Sequence, residues 1–153
     1  YGYKSLCWAA TIACIVNYIK GSNFTALTMA QANMSADNLN LDDGLEKGRE
    51  EAILKKYGLS YTYREASVPS INIIKNNINN NMPLFSSFKH STGRHACTIY
   101  GCSISNQDSK YNCIYVMDPE FGSATAFYDS GTYKYKSSYS GVNLALDYTT
   151  RRY

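Results

Sequence analysis

The spacing of apolar residues divides the chain into a helical first part and a strand-rich second part. From Leu6 to Lys20 apolar side chains fall on nearly every face of a helix, which predicts a helix surrounded by protein. Gly21 is placed to end this helix as its C-cap. Shorter elements are predicted as far as Pro83: helices over 28–34, 45–57 and 71–80, and a strand over 59–64. The 45–57 helix carries many charges, Glu50 among them, and should lie at the surface with these charges exposed.

After Pro83 the pattern changes to alternation broken by polar turns, which is typical of β-strands. The predicted strands are 84–89, 95–102, 111–117, 124–128, 132–136 and 144–148. Helices followed by antiparallel strands predict an α+β fold, with a helical half over about 1–82 packed against a β half over about 83–153. No repeat or linker separates the halves, so a single domain over 1–153 is expected.

Composition and charge narrow the class of protein. At 153 residues, with 44% hydrophobic and 18% charged residues, the chain has the make-up of a soluble globular domain with one core. A net charge of +3 on scattered Lys and Arg argues against nucleic acid or an acidic membrane surface as a partner. No apolar stretch is long enough for membrane insertion, and the start so close to Cys7 is compatible with an upstream pro-segment or leader. The Tyr- and Asn-rich composition suggests a secreted or cell-surface bacterial protein.

Three residues have the chemistry and the placement of a catalytic triad. Cys7 heads the buried helix, where unpaired N–H groups and the helix dipole favour a thiolate. His95 opens one predicted strand, and Asp118 closes another just before Pro119. In that order they outline a Cys/His/Asp arrangement for nucleophilic catalysis.

The spacing of the two strands brings the histidine and the aspartate together. The polar stretch 103–110 suits a hairpin loop, and a turn centred between Asn106 and Gln107 would set His95 opposite Asp118. Facing Cβ atoms in such a pair lie about 5 Å apart, close enough for an imidazole–carboxylate hydrogen bond. A register slip of one residue would instead put the two side chains on opposite faces of the sheet.

The segment Cys7-Trp8-Ala9-Ala10, the strand from His95 to Gly101 and the pair Asp118-Pro119 together resemble the papain-like cysteine peptidase superfamily. The similarity is closest to bacterial members such as staphopains and the peptidases that clip double-glycine leaders. The resemblance implies that Cys7 is the nucleophile, that His95 is the general base and then acid, and that Asp118 orients His95. It also implies a cleft between the cysteine helix and the β half.

One feature of that superfamily is missing from the sequence. Its members place a glutamine five or six residues before the nucleophile, where its side chain donates to the oxyanion. Gly2 and Tyr1 occupy those positions here. Loss of such a donor typically lowers the rate by roughly 10² to 10³. A glutamine upstream of Tyr1, another donor beside the Cys7 N–H, or a catalytically weak domain would each account for the difference.

Other interpretations of single residues remain open at this stage. Cys7 could be a buried structural cysteine, and Asp118 could simply begin a turn. His90 lies in a polar turn, where a solvated role is simpler than a catalytic one. Cys14, two turns beyond Cys7 on the same helix face, is predicted to lie in the core.

The remaining cysteines raise the question of a disulfide or a metal. Five is an odd number, so at least one cysteine is free or pairs with another chain. The predicted register puts Cys102 and Cys113 on one face as diagonal neighbours, where a disulfide would be strained, and Cys97 on the face of His95 and Asp118. Because no Cys or His spacing typical of zinc occurs, neither a metal nor another cofactor is expected.

A cysteine peptidase acting on a peptide or protein substrate through a thioester acyl-enzyme is the leading interpretation. The same triad also serves acyl transfer to amines, as in transglutaminases and arylamine acetyltransferases. A module that keeps the scaffold only for binding is a third interpretation, favoured by the missing glutamine.

Overall fold

The fold is α+β, and most of the helices precede the sheet. It is described by a computed structural model over residues 5–37, 44–64, 68–137 and 141–153. Its helices are α1 (Cys7–Lys20), α2 (Ala26–Asp37), α3 (Arg49–Lys56) and α4 (Ile71–Asn79). Its strands are β1 (Thr62–Arg64), β2 (Leu84–His90), β3 (Gly93–Ser103), β4 (Cys113–Asp118), β5 (Gly122–Asp129), β6 (Thr132–Lys136) and β7 (Asn143–Arg151). Among the described helices, none combines the length and apolar character that a membrane crossing requires.

The helix boundaries follow local backbone signals. α1 ends as predicted at Gly21, which has a φ of 64° and donates its N–H to the carbonyl oxygen of Asn17. α3 begins later than predicted, because Gly48 just before it has a φ of 85°, outside the helical region. The prediction that Glu50 is exposed is wrong: its side chain is buried and accepts a hydrogen bond from the Thr150 hydroxyl of β7. This hydrogen bond therefore connects α3 to the sheet.

The strands form one antiparallel sheet that closes on itself. Its order is β1-β7-β2-β3-β4-β5-β6, and β6 also pairs with β7. The first residues of β7 pair with β6 and its last residues pair with β1, while β2 pairs along most of its length. Closure turns β2 to β7 into a barrel, which leaves β1 as a short edge strand.

The two faces of this sheet belong to different apolar clusters. One cluster fills the barrel interior and includes Phe88, Cys97, Ile99, Ile114, Val116, Tyr133, Tyr135 and Leu146. The other forms where the outer face of β2 and β3 meets the helices, and there Phe85 and Ala96 pack with Trp8 and Ile12 of α1. The helix that carries Cys7 thus lies against the outside of the barrel wall.

The pairing of β3 with β4 differs from the predicted register. Ile99 pairs with Val116, but Gly101 pairs with Tyr115, because a bulge at Tyr100 adds a residue to β3. Continued from Ile99 toward the start of β3, this register sets Asp118 opposite Cys97 rather than His95. The prediction that His95 faces Asp118 directly is therefore wrong by two residues. Since two is an even number, both side chains stay on the same face of the sheet.

Two predictions about cysteines are also wrong. Cys102 pairs with Ile114 while Cys113 pairs with Ser103, so the two thiols point to opposite faces and cannot be diagonal neighbours. The bulge is the cause, since it shifts the alternation of β3 by one residue beyond Ile99. Cys14 is exposed rather than in the core, because the buried residues of α1 lie on its other faces and Tyr18, one turn beyond Cys14, is exposed as well. All five cysteines are free thiols.

The packing of α1 predicts unequal effects for two truncations on the same helix. Ile12→Ala removes a fully buried side chain from the cluster between α1 and the sheet, and should lower the free energy of unfolding by about 3 kcal/mol. Cys14→Ala, at an exposed site, should change it by less than about 0.5 kcal/mol. Chemical denaturation followed by circular dichroism measures both. Similar losses in the two variants would contradict the described orientation of α1.

Candidate active site

The thiol of Cys7 lies at an uncompensated helix N-terminus. Leu6, the N-cap of α1, makes no side-chain capping hydrogen bond, and the first turn holds no acidic residue. The partial positive charge of the first N–H groups is therefore left to other acceptors. The half-buried sulfur interacts with the backbone N–H groups of Trp8 and Ala96 and with the His95 imidazole. These three contacts all favour the thiolate form.

His95 and Asp118 meet at the rim of the barrel. The Nε2 atom of His95 lies 2.7 Å from Oδ1 of Asp118. Both residues point to the interior face of the sheet, His95 from the start of β3 and Asp118 from the end of β4. The two residues are diagonal rather than direct neighbours across the strands, but the imidazole side chain is long enough to reach the carboxylate. With Nε2 engaged by Asp118, Nδ1 is the nitrogen left to exchange a proton with Cys7.

Among the described residues, four hydrogen-bond donors surround the carboxylate of Asp118. Its Oδ1 accepts from His95 and from the backbone N–H groups of Glu120, at 2.9 Å, and Phe121, at 3.2 Å. Its Oδ2 accepts from the hydroxyl of Tyr135 at 2.7 Å. The side chain has 0% exposure to solvent, so these donors replace its water. Asp118 also begins the turn after β4, so its role in a turn, one of the two interpretations that the sequence left open, is confirmed.

The pKa values of the three groups shift in a consistent way. Burial alone would raise the pKa of the Cys7 thiol, but the interactions with His95 and the Ala96 N–H outweigh it and lower this pKa. Burial opposes a charged imidazole, yet the hydrogen bonds to Asp118 and the neighbouring thiols raise the pKa of His95. Burial of Asp118 is likewise outweighed by its hydrogen bonds from His95 and Tyr135, which lower its pKa. A thiolate beside an imidazolium is the form that these shifts favour near neutral pH.

Cys97 is the other thiol of this site, and the predicted face for it is confirmed. Ligand atoms of His95, Cys97 and Asp118 all lie within 4.8 Å of one another. These residue types can hold a metal, but the described donors to the oxygens of Asp118 are His95, the backbone N–H groups of Glu120 and Phe121 and the Tyr135 hydroxyl, which is the chemistry of a hydrogen-bond network. Cys97 itself is fully buried, and burial raises the pKa of its thiol.

Two further sequence predictions have different outcomes. His90 ends β2 beside the tight turn to β3 and accepts from the Thr92 backbone N–H at 3.4 Å, away from the other candidate residues. The positions expected for an oxyanion glutamine, Tyr1 and Gly2, lie outside the described residues. Tyr135, by contrast, is not among the site residues predicted from the sequence. The one signal for it in the sequence is its position two residues after Tyr133, which puts both side chains on the same face of a strand.

A cavity of about 330 Å³ opens beside the thiol. It is lined by apolar side chains of the cluster between the helices and the sheet, namely Trp8, Leu45, Phe85, Ala96 and Tyr148. At its rim Arg94 and Lys47 share the carboxylate of Asp147, at 2.8 Å and 3.4 Å. A groove with an apolar floor and a charged rim is suited to an extended peptide laid across Cys7.

Comparison with known families agrees with this geometry. The model of a family described as papain-like cysteine protease AvrRpt2 matches residues 3–139, which include Cys7, His95 and Asp118. No curated protein matches the sequence.

The site predicts that Cys7 reacts with iodoacetamide at lower pH than an ordinary thiol, because its neighbours lower its pKa. Its alkylation rate should stay high as the pH falls toward neutrality. In the His95→Ala variant the rate profile of Cys7 should move to higher pH, since the imidazolium is gone. Peptide mapping by mass spectrometry gives the rate for each cysteine, and the exposed Cys14 serves as an internal reference. A Cys7 profile that does not differ from that of Cys14 would rule out an activated thiol.

Proposed function

We propose that this chain, which belongs to the papain-like cysteine protease family of AvrRpt2, hydrolyses peptide bonds through Cys7, His95 and Asp118. The observation that carries the proposal is the continuous line of contacts from sulfur to imidazole to buried carboxylate. Each neighbour in this line shifts the pKa of the next in the direction that catalysis needs. The three residues come from α1, β3 and β4. Because these elements are far apart in the sequence, a local feature such as a turn or a helix cap does not explain why the three side chains meet.

The first half of the reaction forms the acyl-enzyme. The proton of Cys7 is held on His95, and the thiolate attacks the carbonyl carbon of the scissile peptide bond. The carbonyl oxygen becomes an oxyanion, for which the N–H groups of the uncapped first turn of α1 are the nearest donors by sequence. When the tetrahedral intermediate collapses, the imidazolium protonates the leaving amine. The bond from sulfur to the acyl carbon remains as a thioester.

The second half returns the enzyme to its starting state. Neutral His95 takes a proton from a water molecule as the water attacks the thioester carbon. The thiolate leaves as the new carboxylic acid forms, and the imidazolium is restored beside it. Asp118 keeps Nε2–H of the ring directed toward its own Oδ1 throughout, so that Nδ1 alone faces the reacting atoms.

The substrate class follows from the family and the groove. A protease acts on peptides or proteins, and the cavity beside Cys7 offers an apolar floor for a side chain next to the scissile bond. The ion cluster of Arg94, Lys47 and Asp147 stands at its rim, where the peptide would leave the groove.

Replacement of the nucleophile should abolish hydrolysis. Cys7→Ala is expected to lower kcat by about 10⁴-fold or more, since no other group can form the thioester. Cys14→Ala, on the same helix but exposed, should leave kcat within about twofold. The measurement is cleavage of a fluorogenic peptide library, together with mapping of the residue that a thiol-directed epoxide labels. Full activity of Cys7→Ala, or labelling of another residue instead, would refute the proposal.

The two histidines of the chain provide a matched comparison. His95→Gln should lower kcat by about 10³-fold or more, because proton transfer and the ion pair are both lost. His90→Gln, only five residues away but outside the contact line, should retain activity within about threefold. Cleavage rates at several pH values measure both variants. The assignment fails if the His90 variant loses as much activity as the His95 variant.

A further inference from the structure

A fourth side chain enters the site from a strand that holds none of the three proposed catalytic residues. Tyr135 lies on β6, and its hydroxyl donates to Oδ2 of Asp118 at 2.7 Å. The tyrosine is buried in the barrel interior, with its ring packed edge-on against Phe88, 5.1 Å between centroids. Phe88 is in turn the strand partner of His95. Tyr135 therefore touches both the carboxylate and the wall behind the imidazole.

The two oxygens of Asp118 are served by different parts of the chain. Oδ1 has three donors, two of them backbone N–H groups of the turn after β4. For Oδ2 the described residues provide one donor, the hydroxyl of Tyr135. Without that hydroxyl, one oxygen of a fully buried carboxylate would lack a partner, which is costly for a charged group.

Cys97 is a second neighbour of the Tyr135 hydroxyl. Its Sγ lies 3.5 Å from the Tyr135 hydroxyl oxygen. Because the single hydroxyl proton is given to Asp118, the oxygen is free to accept from the thiol, and burial raises the pKa of Cys97 so that its S–H proton is retained. The thiol thus supports the hydroxyl orientation in which Tyr135 donates.

We propose that Tyr135 is a positioning residue of this site: its hydroxyl holds Asp118 ionised and in the rotamer that presents Oδ1 to His95. The inference rests on the proposed function for its effect on catalysis. Tyr135 touches neither the substrate nor the reacting atoms, and it acts through Asp118. Because β6 pairs with both β5 and β7, the position of Tyr135 depends on the closure of the barrel, and the hydrogen bonding of Asp118 depends on it too.

A second tyrosine on the same strand offers a matched control. Tyr133 is also buried in the barrel interior, and its ring packs against Tyr128, 5.3 Å between centroids. Among the described residues, the hydrogen-bond donors to Asp118 are those given above, and the Tyr133 hydroxyl is not one of them. Tyr133→Phe and Tyr135→Phe therefore remove the same atom from similar surroundings, and only one of them changes the carboxylate.

The test compares these two variants by kinetics and by nuclear magnetic resonance. Tyr135→Phe should lower kcat about tenfold with KM within about twofold, which is the loss expected for one hydrogen bond to a charged group. With ¹³C-labelled aspartate, the titration midpoint of Asp118 should move to higher pH, because a donor to the charged form is lost. Tyr133→Phe should change neither quantity. In an Asp118→Ala background, Tyr135→Phe should have no further effect on kcat.

Several results would overturn the inference. These are a Tyr135→Phe variant with kcat within twofold of the wild type, a lowered kcat with an unmoved Asp118 midpoint, or equal losses in the Tyr133 control. The wild-type chain gives an independent check that does not depend on variant folding: Asp118 must titrate below a free aspartate, and an ordinary or raised midpoint also refutes the proposal. Since the titration needs no substrate, absence of peptide hydrolysis would defeat the proposed function and leave this result to be judged separately.

Discussion

A buried carboxylate has no water to hydrogen-bond with, so its hydrogen-bond donors must come from the protein. This requirement determines which groups surround Asp118. Asp118 has no exposed side-chain surface, and it accepts from an imidazole, two backbone N–H groups and a phenol. The imidazole is thereby kept protonated, and the protonated imidazole favours the thiolate of Cys7. If Asp118 were neutral, the pKa of His95 would be raised less. With less positive charge on His95, the pKa of Cys7 would in turn be lowered less.

The fold meets this requirement by using both faces of one barrel wall. α1 packs on the outside, where Ala96 and Phe85 share a cluster with Trp8. His95 and Asp118 point to the inside. Residues that belong to opposite faces can meet only at the rim, where the wall ends and the imidazole can bridge the two clusters. The site is therefore at the end of the strands and could not have been built in their middle.

Much of this arrangement could be predicted from the sequence, because the strongest signals are local. The all-round apolar helix, its stop at Gly21 and the alternation after Pro83 lead to α1 and to the strands within a few residues. The meeting of His95 and Asp118 was predicted from a register that is wrong by two residues, and the two side chains still meet because an even error keeps both on the same face of the sheet. A glycine inside a strand, such as Gly101 beside the bulge, is only a weak local signal for one, so the bulge was missed and the faces of Cys102 and Cys113 were predicted wrongly. The role of Tyr135 depends on barrel closure, which no pattern along the chain encodes.

The pairing of β7 with β2, β6 and β1 has a consequence for the folding of the chain. β7 follows the other described strands in sequence, so its pairings with β1 and β2 close the longest loops of the sheet and carry the largest entropic cost of formation. Until they form, β6 has no neighbour on one side, and nothing sets the phenol of Tyr135 against the carboxylate. We expect Asp118 to gain its hydrogen bond from Tyr135 only after β7 has paired with β2 and β6, so the surroundings of this carboxylate report on the closure of the barrel.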